Sequence, residues 1–254
     1  LNLLYSFESY SKFNKEKCNV FSKDVDLFRY CEIISVCSKL ITKVKLDTAI
    51  DEIKIHHKDH KAFNSKNWQR IQLMPKVVKG GSVLDIGIGN GACVNLLYLL
   101  NKYQRICGID LKKHTTQTLI SDQIEYHEMN ITNLRFEDNE FDSIICMEVL
   151  EHLGGRQNNS EAQSFLGWDL DSFHKGILEL RRVAKRRIII SVPYNESFPI
   201  YHHNIATGHK QIFNKNKLNV LFPTAKFYKF HHWMFIIEDN PKMKEIAIGK
   251  GTEL

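Results

Sequence analysis

Two stretches of this chain have residue types and spacing that could do chemistry. In Asp85-Ile-Gly87-Ile-Gly89-Asn-Gly91, alternating glycines follow the apolar run Val83, Leu84, Ile86 and precede the helical spacing Val94, Leu97, Tyr98. Glycine admits left-handed backbone and lets a ligand lie against bare peptide, while a helix start offers unpaired N–H groups to an anionic part of it. The pattern reads as a buried strand, a tight turn and a helix start that cradle a nucleotide or cofactor. The second stretch is Glu148-x-x-Glu151-His152. On a helix these three side chains share one face, and two carboxylates with an imidazole suit Mg2+ or Mn2+. His56 and His60 are also four apart, but no acidic or thiol ligand is spaced to complete a site, so an exposed basic turn is the better reading.

The elements that must position these residues follow from periodicity. Residues 1–23 are polar and aromatic without a clear period. From Asp24, residues Leu27, Tyr30, Ile34, Cys37, Ile41 and Val44 fall at helical spacing, a second helical piece is expected over Ala49 to Ile55, and a third over Ser65 to Met74, stopped by Pro75. Strands then alternate with helices. Strands are expected at the glycine stretch, at Arg105 to Ile109 ending in Asp110, at Ile124 to His127, at Phe141 to Met147 and at Arg187 to Val192. A helix from Asp169 to Ala184 turns Phe173, Ile177, Leu180 and Ala184 to one side. A short helix (Lys215 to Leu221) precedes Ala225 to Ile237 and Lys244 to Ile248, with the turn signal Asp239-Asn-Pro241 between them.

This order predicts an α/β fold: a Rossmann-like, doubly wound, mostly parallel sheet with an antiparallel C-terminal hairpin strand. Residues 1–75 form an N-terminal helical cap and residues 76–254 the cofactor-binding domain. The 254 residues, 43% of them hydrophobic, are enough for a sizeable core. The six cysteines form no C-x-x-C pair, which argues for thiols in a reducing compartment and against a disulfide framework or a zinc site. No run is apolar for long enough to span a bilayer and no leader signature is visible, so the expectation is a cytoplasmic protein. The net charge of +6 is scattered. Arg181-Arg-x-x-Lys185-Arg-Arg187 reads as a solvated helix end in preference to a nucleic-acid contact.

Gly87-x-Gly89-x-x-Ala92 also matches the relaxed dinucleotide fingerprint, with Asp110 placed to take ribose hydroxyls, so an NAD(P) oxidoreductase is one alternative. The segment from Val83 to Pro193 resembles a class I S-adenosylmethionine-dependent methyltransferase. Asp85 to Gly91 matches the family's first motif, Asp110 its ribose-binding acid, and Phe141 to Met147 its fourth strand. Glu148-Val-Leu-Glu-His152, Glu179-Leu-Arg-Arg-Val183 and Ile189-Ile-Ser-Val-Pro193 follow in the family's order. The resemblance implies S-adenosylmethionine as cofactor. It implies that Gly87, Gly89 and Gly91 carry its backbone contacts, that Asp85 helps hold the methionine end, and that Asp110 accepts both ribose hydroxyls. Asn130-Ile131 stands where many relatives read the adenine amino group with an aspartate, and Met147 with Glu148 would border the sulfonium.

Methyl transfer to a hydroxyl requires an aligned nucleophile whose proton is removed by a base or through a metal. The stretch from Glu148 to His152 resembles that of ubiquinone-biosynthesis and small-RNA O-methyltransferases, whose metal is completed by a later histidine. By that resemblance Glu148, Glu151, His152 and His209 are the metal candidates, with His202 and His203 behind His209, and His152 or His209 is the base. The polar loop Gly154 to Gly167 is a candidate lid, and Tyr194, Phe198 and Tyr201 are candidates for an acceptor pocket. The expected enzyme O-methylates a small polar metabolite or sugar, such as a surface-polysaccharide precursor. The alternatives are an RNA 2′-O-methyltransferase, although no RNA-binding domain or arginine-rich tract is visible, and a non-catalytic S-adenosylmethionine-binding interaction module. The oligomeric state is left open.

Overall fold

The computed structural model describes residues 43–56, 66–154, 170–194 and 209–241. Its elements are α1 (Lys43–His56), α2 (Lys66–Val77), β1 (Ser82–Ile86), α3 (Ala92–Leu99), β2 (Arg105–Asp110), β3 (Glu125–Glu128) and β4 (Phe141–Met147). A 3-10 turn (Leu150–His152), α4 (Leu170–Val183), β5 (Ala184–Pro193), α5 (Lys215–Leu221), β6 (Lys226–Phe230) and β7 (Trp233–Asp239) follow. One sheet runs β3-β2-β1-β4-β5-β7-β6. The first five of these strands pair in parallel, while β7 is antiparallel to both β5 and β6. The order reverses direction between β1 and β4, so the turns after those strands open into one crevice, where α/β sheets bind ligands.

Alternate residues of each strand enter opposite cores, as a two-residue period requires. Leu84, Ile86, Ile144, Cys146, Ile188 and Ile190 meet α4 through Phe173, Ile177 and Leu180. Val83, Ile106, Ile145, Ile189, Phe235 and Ile237 meet α2 and α3 through Leu73, Met74, Val77, Val94 and Leu97. The helix α1 packs Leu46, Ile50 and Ile53 against Leu96 and Leu100.

Some expectations change. The helical piece expected over Ala49 to Ile55 is part of the longer α1, and the helix expected from Asp24 lies almost wholly outside the described residues. Pro75 does not stop α2: it sits inside the helix, which continues to Val77, and Val78 N–H still donates to Met74 O at 2.9 Å. The C-terminal hairpin turns at His231-His232, because Lys226 to Phe230 pairs back onto Trp233 to Ile237 and Asp239 is still paired with Arg187. Lys244 to Ile248 lies outside the described residues.

The basic run at the α4–β5 junction is only partly a solvated helix end: Lys185 and Arg186 are exposed, but Arg181 is buried. Arg181 makes a two-pronged pair with Glu238 (3.0 and 3.2 Å) and donates to Leu221 O, with both side chains only 4% exposed. Arg182 grips Glu179, Asp138 and two loop carbonyls, and Arg187 holds Asp239 and Val77 O. Arg186 pairs with Asp142. The helix runs into the strand without an intervening loop, and these cations fasten the junction to β7, to α2, to β4 and to the loop before it. Among the described residues, no helix is long and apolar enough to cross a membrane.

Candidate active site

The turn after β1 is held to the end of β2. Gly87 and Ile88 donate their backbone N–H groups to Ile109 O, and Gly89 N–H donates to Asp110 Oδ2 at 3.1 Å. Leu111 N–H donates to Asp110 Oδ1 at 2.8 Å. The Asp110 carboxylate is thereby oriented by two backbone donors, and each oxygen keeps acceptor capacity. Gly87 and Gly89 have φ of +74° and +55°, and a Cβ built on Gly89 meets nothing nearer than 4.0 Å. Open space therefore lies over bare backbone there. Gly91 serves a different purpose, because its Cβ would stand 2.8 Å from Thr118 O; its φ of +87° permits a close approach of two chain segments.

Asp85, on β1, is buried, and burial pushes its carboxyl up to about 7, with the Asp110 charge adding to the effect. The Cys93 thiol, which bonds the carboxyl, and the Arg70 cation pull the other way. Asn130 turns its Oδ1 onto Thr132, accepting from N (2.9 Å) and from Oγ1 (3.0 Å), so the oxygen expected to read an adenine amino group is engaged. The side chain of Ile131 is in the core beside α4. Met147 is half-buried against the α2 and α3 side of the sheet.

Glu148 departs from the sequence expectation. It has a φ of +58° and precedes a 3-10 turn, so it does not share a helix face with Glu151 and His152. Its Oε1 accepts from Arg70 Nη1 at 2.8 Å and from Ser191 Oγ at 3.0 Å, and its Oε2 accepts from Trp233 Nε1 at 2.7 Å. Arg70 also lies over the Trp233 ring at 4.6 Å. Burial raises the Glu148 carboxyl above its ordinary range while these donors oppose the rise. A carboxylate committed to three donors in this way is a fastener between α2, β5 and β7, and its oxygens are not among the atoms that cluster at Glu151, His152 and His209. A non-glycine residue held in left-handed backbone beside a crevice is a common mark of a functional turn. No local pattern marks Arg70, Ser191 or Trp233 as partners of Glu148. An arginine at the inward position of α2 was the only available signal.

Glu151, His152 and His209 do come together. Each offers one ligand atom, and these lie within 4.8 Å of one another; Glu151 is buried, His209 half-buried and His152 exposed. The two imidazoles meet edge to face at 5.1 Å. The segment bearing His209 is riveted to the 3-10 turn, since Lys210 and Gln211 both donate N–H to Glu151 O (2.6 and 3.0 Å) and Gln211 Nε2 donates to Leu153 O. Lys217 in turn donates to Gln211 Oε1 at 2.7 Å. A carboxylate and two imidazoles suit Mn2+ better than Mg2+, which prefers oxygen alone. Cys107, Glu125 and His127 also cluster, but Arg105 grips both oxygens of Glu125. Tyr194 is a core residue. His60, His202, His203, Phe198, Tyr201 and all but the first residue of the loop 154–167 lie outside the described residues, as does the side chain of His56.

A mostly parallel sheet of this order, with a glycine turn after β1 and an acid at the end of β2, defines a Rossmann-like fold. Residues 84–187 match the family model described as a methyltransferase domain. Two solved structures share its fold. One is the Haloferax volcanii protein solved in complex with the Trm112 methyltransferase activator, at 14% identity and a TM-score of 0.51, covering 80% of this chain and 99% of that one. The other is a SAM-dependent methyltransferase from Archaeoglobus fulgidus, at 14% identity and 0.51, covering 69% and 94%. No curated protein matches the chain in sequence. The methyltransferases that the segment resembles use S-adenosylmethionine. The open space over Gly89 and the spare acceptor capacity of Asp110 fit such a group, and Leu111, 63% exposed beside Asp110, offers an apolar surface that a base could cover.

Proposed function

We propose that this enzyme transfers the methyl group to a hydroxyl of a small polar metabolite or sugar, such as a surface-polysaccharide precursor, in the cytoplasm. The cofactor supplies a methyl carbon activated for in-line displacement. The backbone of Gly87 and Gly89 carries its chain, Asp110 takes its ribose hydroxyls, and Asp85 faces its cationic amino-acid end. The observation that carries the acceptor reading is the pair of imidazoles, His152 and His209, set beside the buried carboxylate of Glu151. One imidazole takes the hydroxyl proton and the other orients it. The same three groups would hold a divalent cation, whose contribution is to lower the pKa of a bound hydroxyl. Glu148 and Arg70 act by positioning the turn.

The test is release of S-adenosylhomocysteine over a panel of sugar, phenol, amine and RNA acceptors, with and without a chelator. His152→Ala and His209→Ala are expected to lower turnover by about a hundredfold or more on the hydroxyl acceptor, the range of general-base contributions. Turnover confined to amines, or unchanged in both variants, would sink the reading. Chelator-insensitive turnover would remove the metal and leave the imidazole base. Turnover confined to RNA would favour the 2′-O-methyltransferase alternative, against which the internal pairing of the arginine cluster counts. Binding without turnover on any acceptor would favour the non-catalytic module.

Asp85 predicts a pH dependence. Its carboxyl is neutral below about 7 and ionised above it, and a cationic ligand end favours the ionised form. Cofactor affinity is therefore expected to climb by up to about tenfold per pH unit toward neutrality and then level off, with a proton released on binding below that point. The ligand-free fold shows the reverse trend. The folded state holds a proton on Asp85 that the unfolded chain has already lost, so stability falls as pH rises from about 4 to about 7. Calorimetry in buffers of different ionisation enthalpy measures the proton, and an affinity flat across this window would refute the assignment.

A further inference from the structure

Lys217 is a cation placed where packing alone would put a hydrocarbon. Its backbone N–H donates to the Asn214 cap of α5 at 2.9 Å, and its ammonium lies 5.2 Å from the ring centres of both Phe173 and Phe213, two fully buried residues. Burial lowers that ammonium to about 8. A methionine or leucine would fill the space between the rings without the cost of desolvating a charge. Among the described residues the ammonium bonds no carboxylate; it donates to the amide oxygen Gln211 Oε1 at 2.7 Å.

Gln211 carries that contact to the site. Its carboxamide is buried, with Oε1 on Lys217 and Nε2 donating at 3.1 Å to the carbonyl of Leu153, the residue after His152. Its backbone N–H donates to Glu151 O, as does that of Lys210. His209 stands two residues before Gln211, and its ring meets the His152 ring edge to face at 5.1 Å. An ammonium can only donate, so it selects which end of the carboxamide faces it and leaves the N–H end for Leu153 O. The seating of the His209 segment on the turn therefore depends on the cation behind it.

We propose that Lys217 is a positioning residue for the imidazole pair: through the Gln211 carboxamide it seats the segment carrying His209 on the turn carrying Glu151 and His152, and so sets the spacing of the two rings. Its effect on turnover rests on the hydroxyl-transfer reading above. Its effect on the ring spacing does not.

The experiment is NMR of the full chain with labelled histidine, the ring signals of His152 and His209 being assigned through His152→Ala and His209→Ala. Rings that meet edge to face shift each other's protons, so these signals report the spacing. In Lys217→Met, which keeps the packing between the phenylalanines, each ring's signals should move toward the positions they take when the other histidine is alanine. The melting temperature should hold or rise, because a desolvated charge has gone. Release of S-adenosylhomocysteine on the sugar and phenol acceptors should fall about tenfold to a hundredfold in kcat, the scale of misplacing a catalytic group. Affinity for S-adenosylhomocysteine should stay within about twofold. Lys217→Arg, still a donor-only cation, should restore the ring signals in part, and Gln211→Met cuts the same link from its other end should Lys217→Met fail to fold. Ring signals that stay in place in Lys217→Met and Gln211→Met overturn the proposal. So does a turnover loss that persists in full when His209 is already alanine, since residues acting through one another are not additive. Ring signals that move as expected while His152→Ala and His209→Ala leave turnover unchanged uphold Lys217 as the residue that sets the spacing and overturn the hydroxyl reading alone.

Discussion

Asp110→Ala is expected to weaken S-adenosylhomocysteine binding by about a hundredfold or more, or about 3 kcal/mol, which is the scale of losing charge-assisted hydrogen bonds to two hydroxyls. The carboxylate has two roles. It accepts from Gly89 and Leu111 N–H, which shapes the turn, and its remaining lone pairs are left for ligand hydroxyls. Asp110→Asn separates the two roles. An amide oxygen can keep one backbone contact, but the amide nitrogen opposes the other N–H and can no longer accept from a hydroxyl, so most of the affinity should still be lost while the fold is kept. Calorimetry beside thermal melts reads both effects. If the asparagine variant binds within about threefold of the unaltered protein, Asp110 is only a turn fastener and the ribose assignment fails.

Arg181→Ala is expected to cost about 3–5 kcal/mol of stability, the usual result of removing one member of a buried ion pair. Arg181 and Glu238 join α4 to β7 with both side chains almost wholly out of water. Truncating the arginine leaves the Glu238 carboxylate, among the described residues, with the Thr224 hydroxyl at 2.9 Å as its side-chain donor, and it leaves Leu221 O without its guanidinium donor. Replacing both partners, Arg181→Met with Glu238→Leu, should recover most of the loss, because the penalty comes from the stranded charge more than from the missing attraction. Denaturant melts of the single and double variants form the cycle. A single variant within about 1 kcal/mol of the unaltered protein would show that the pair contributes little.

These two residues differ in how far the sequence reveals them. Asp110 ends an apolar strand at a fixed distance after a glycine turn, a local pattern with a chemical meaning. Arg181 belongs to a run of basic residues that reads as a solvated helix end. Only the return of β7 alongside β5 supplies Glu238 and Asp239 as partners for Arg181 and Arg187. Glu148 shows the same gap in the site. Its spacing from Glu151 and His152 suggests one helix face, but the backbone turns left-handed at Glu148 and its carboxylate is taken by Arg70 and Trp233, distant in the chain. Pro75 shows that a strong local signal can yield to packing, since Met74 and Val77 on either side of it are buried against the sheet.

What the sequence by itself determined is whatever short-range physics encodes: the strand periodicities, the glycine turn with its oriented acid, and the order of elements that makes a parallel sheet. The tertiary structure alone decided which distant side chains meet. It brought His209 to His152 through backbone bonds at Glu151 and diverted Glu148 to Arg70. The reason is physical. Turn chemistry and side-chain alternation act over a few residues, whereas ion pairs and buried amides find their partners only after the sheet has chosen its strand order.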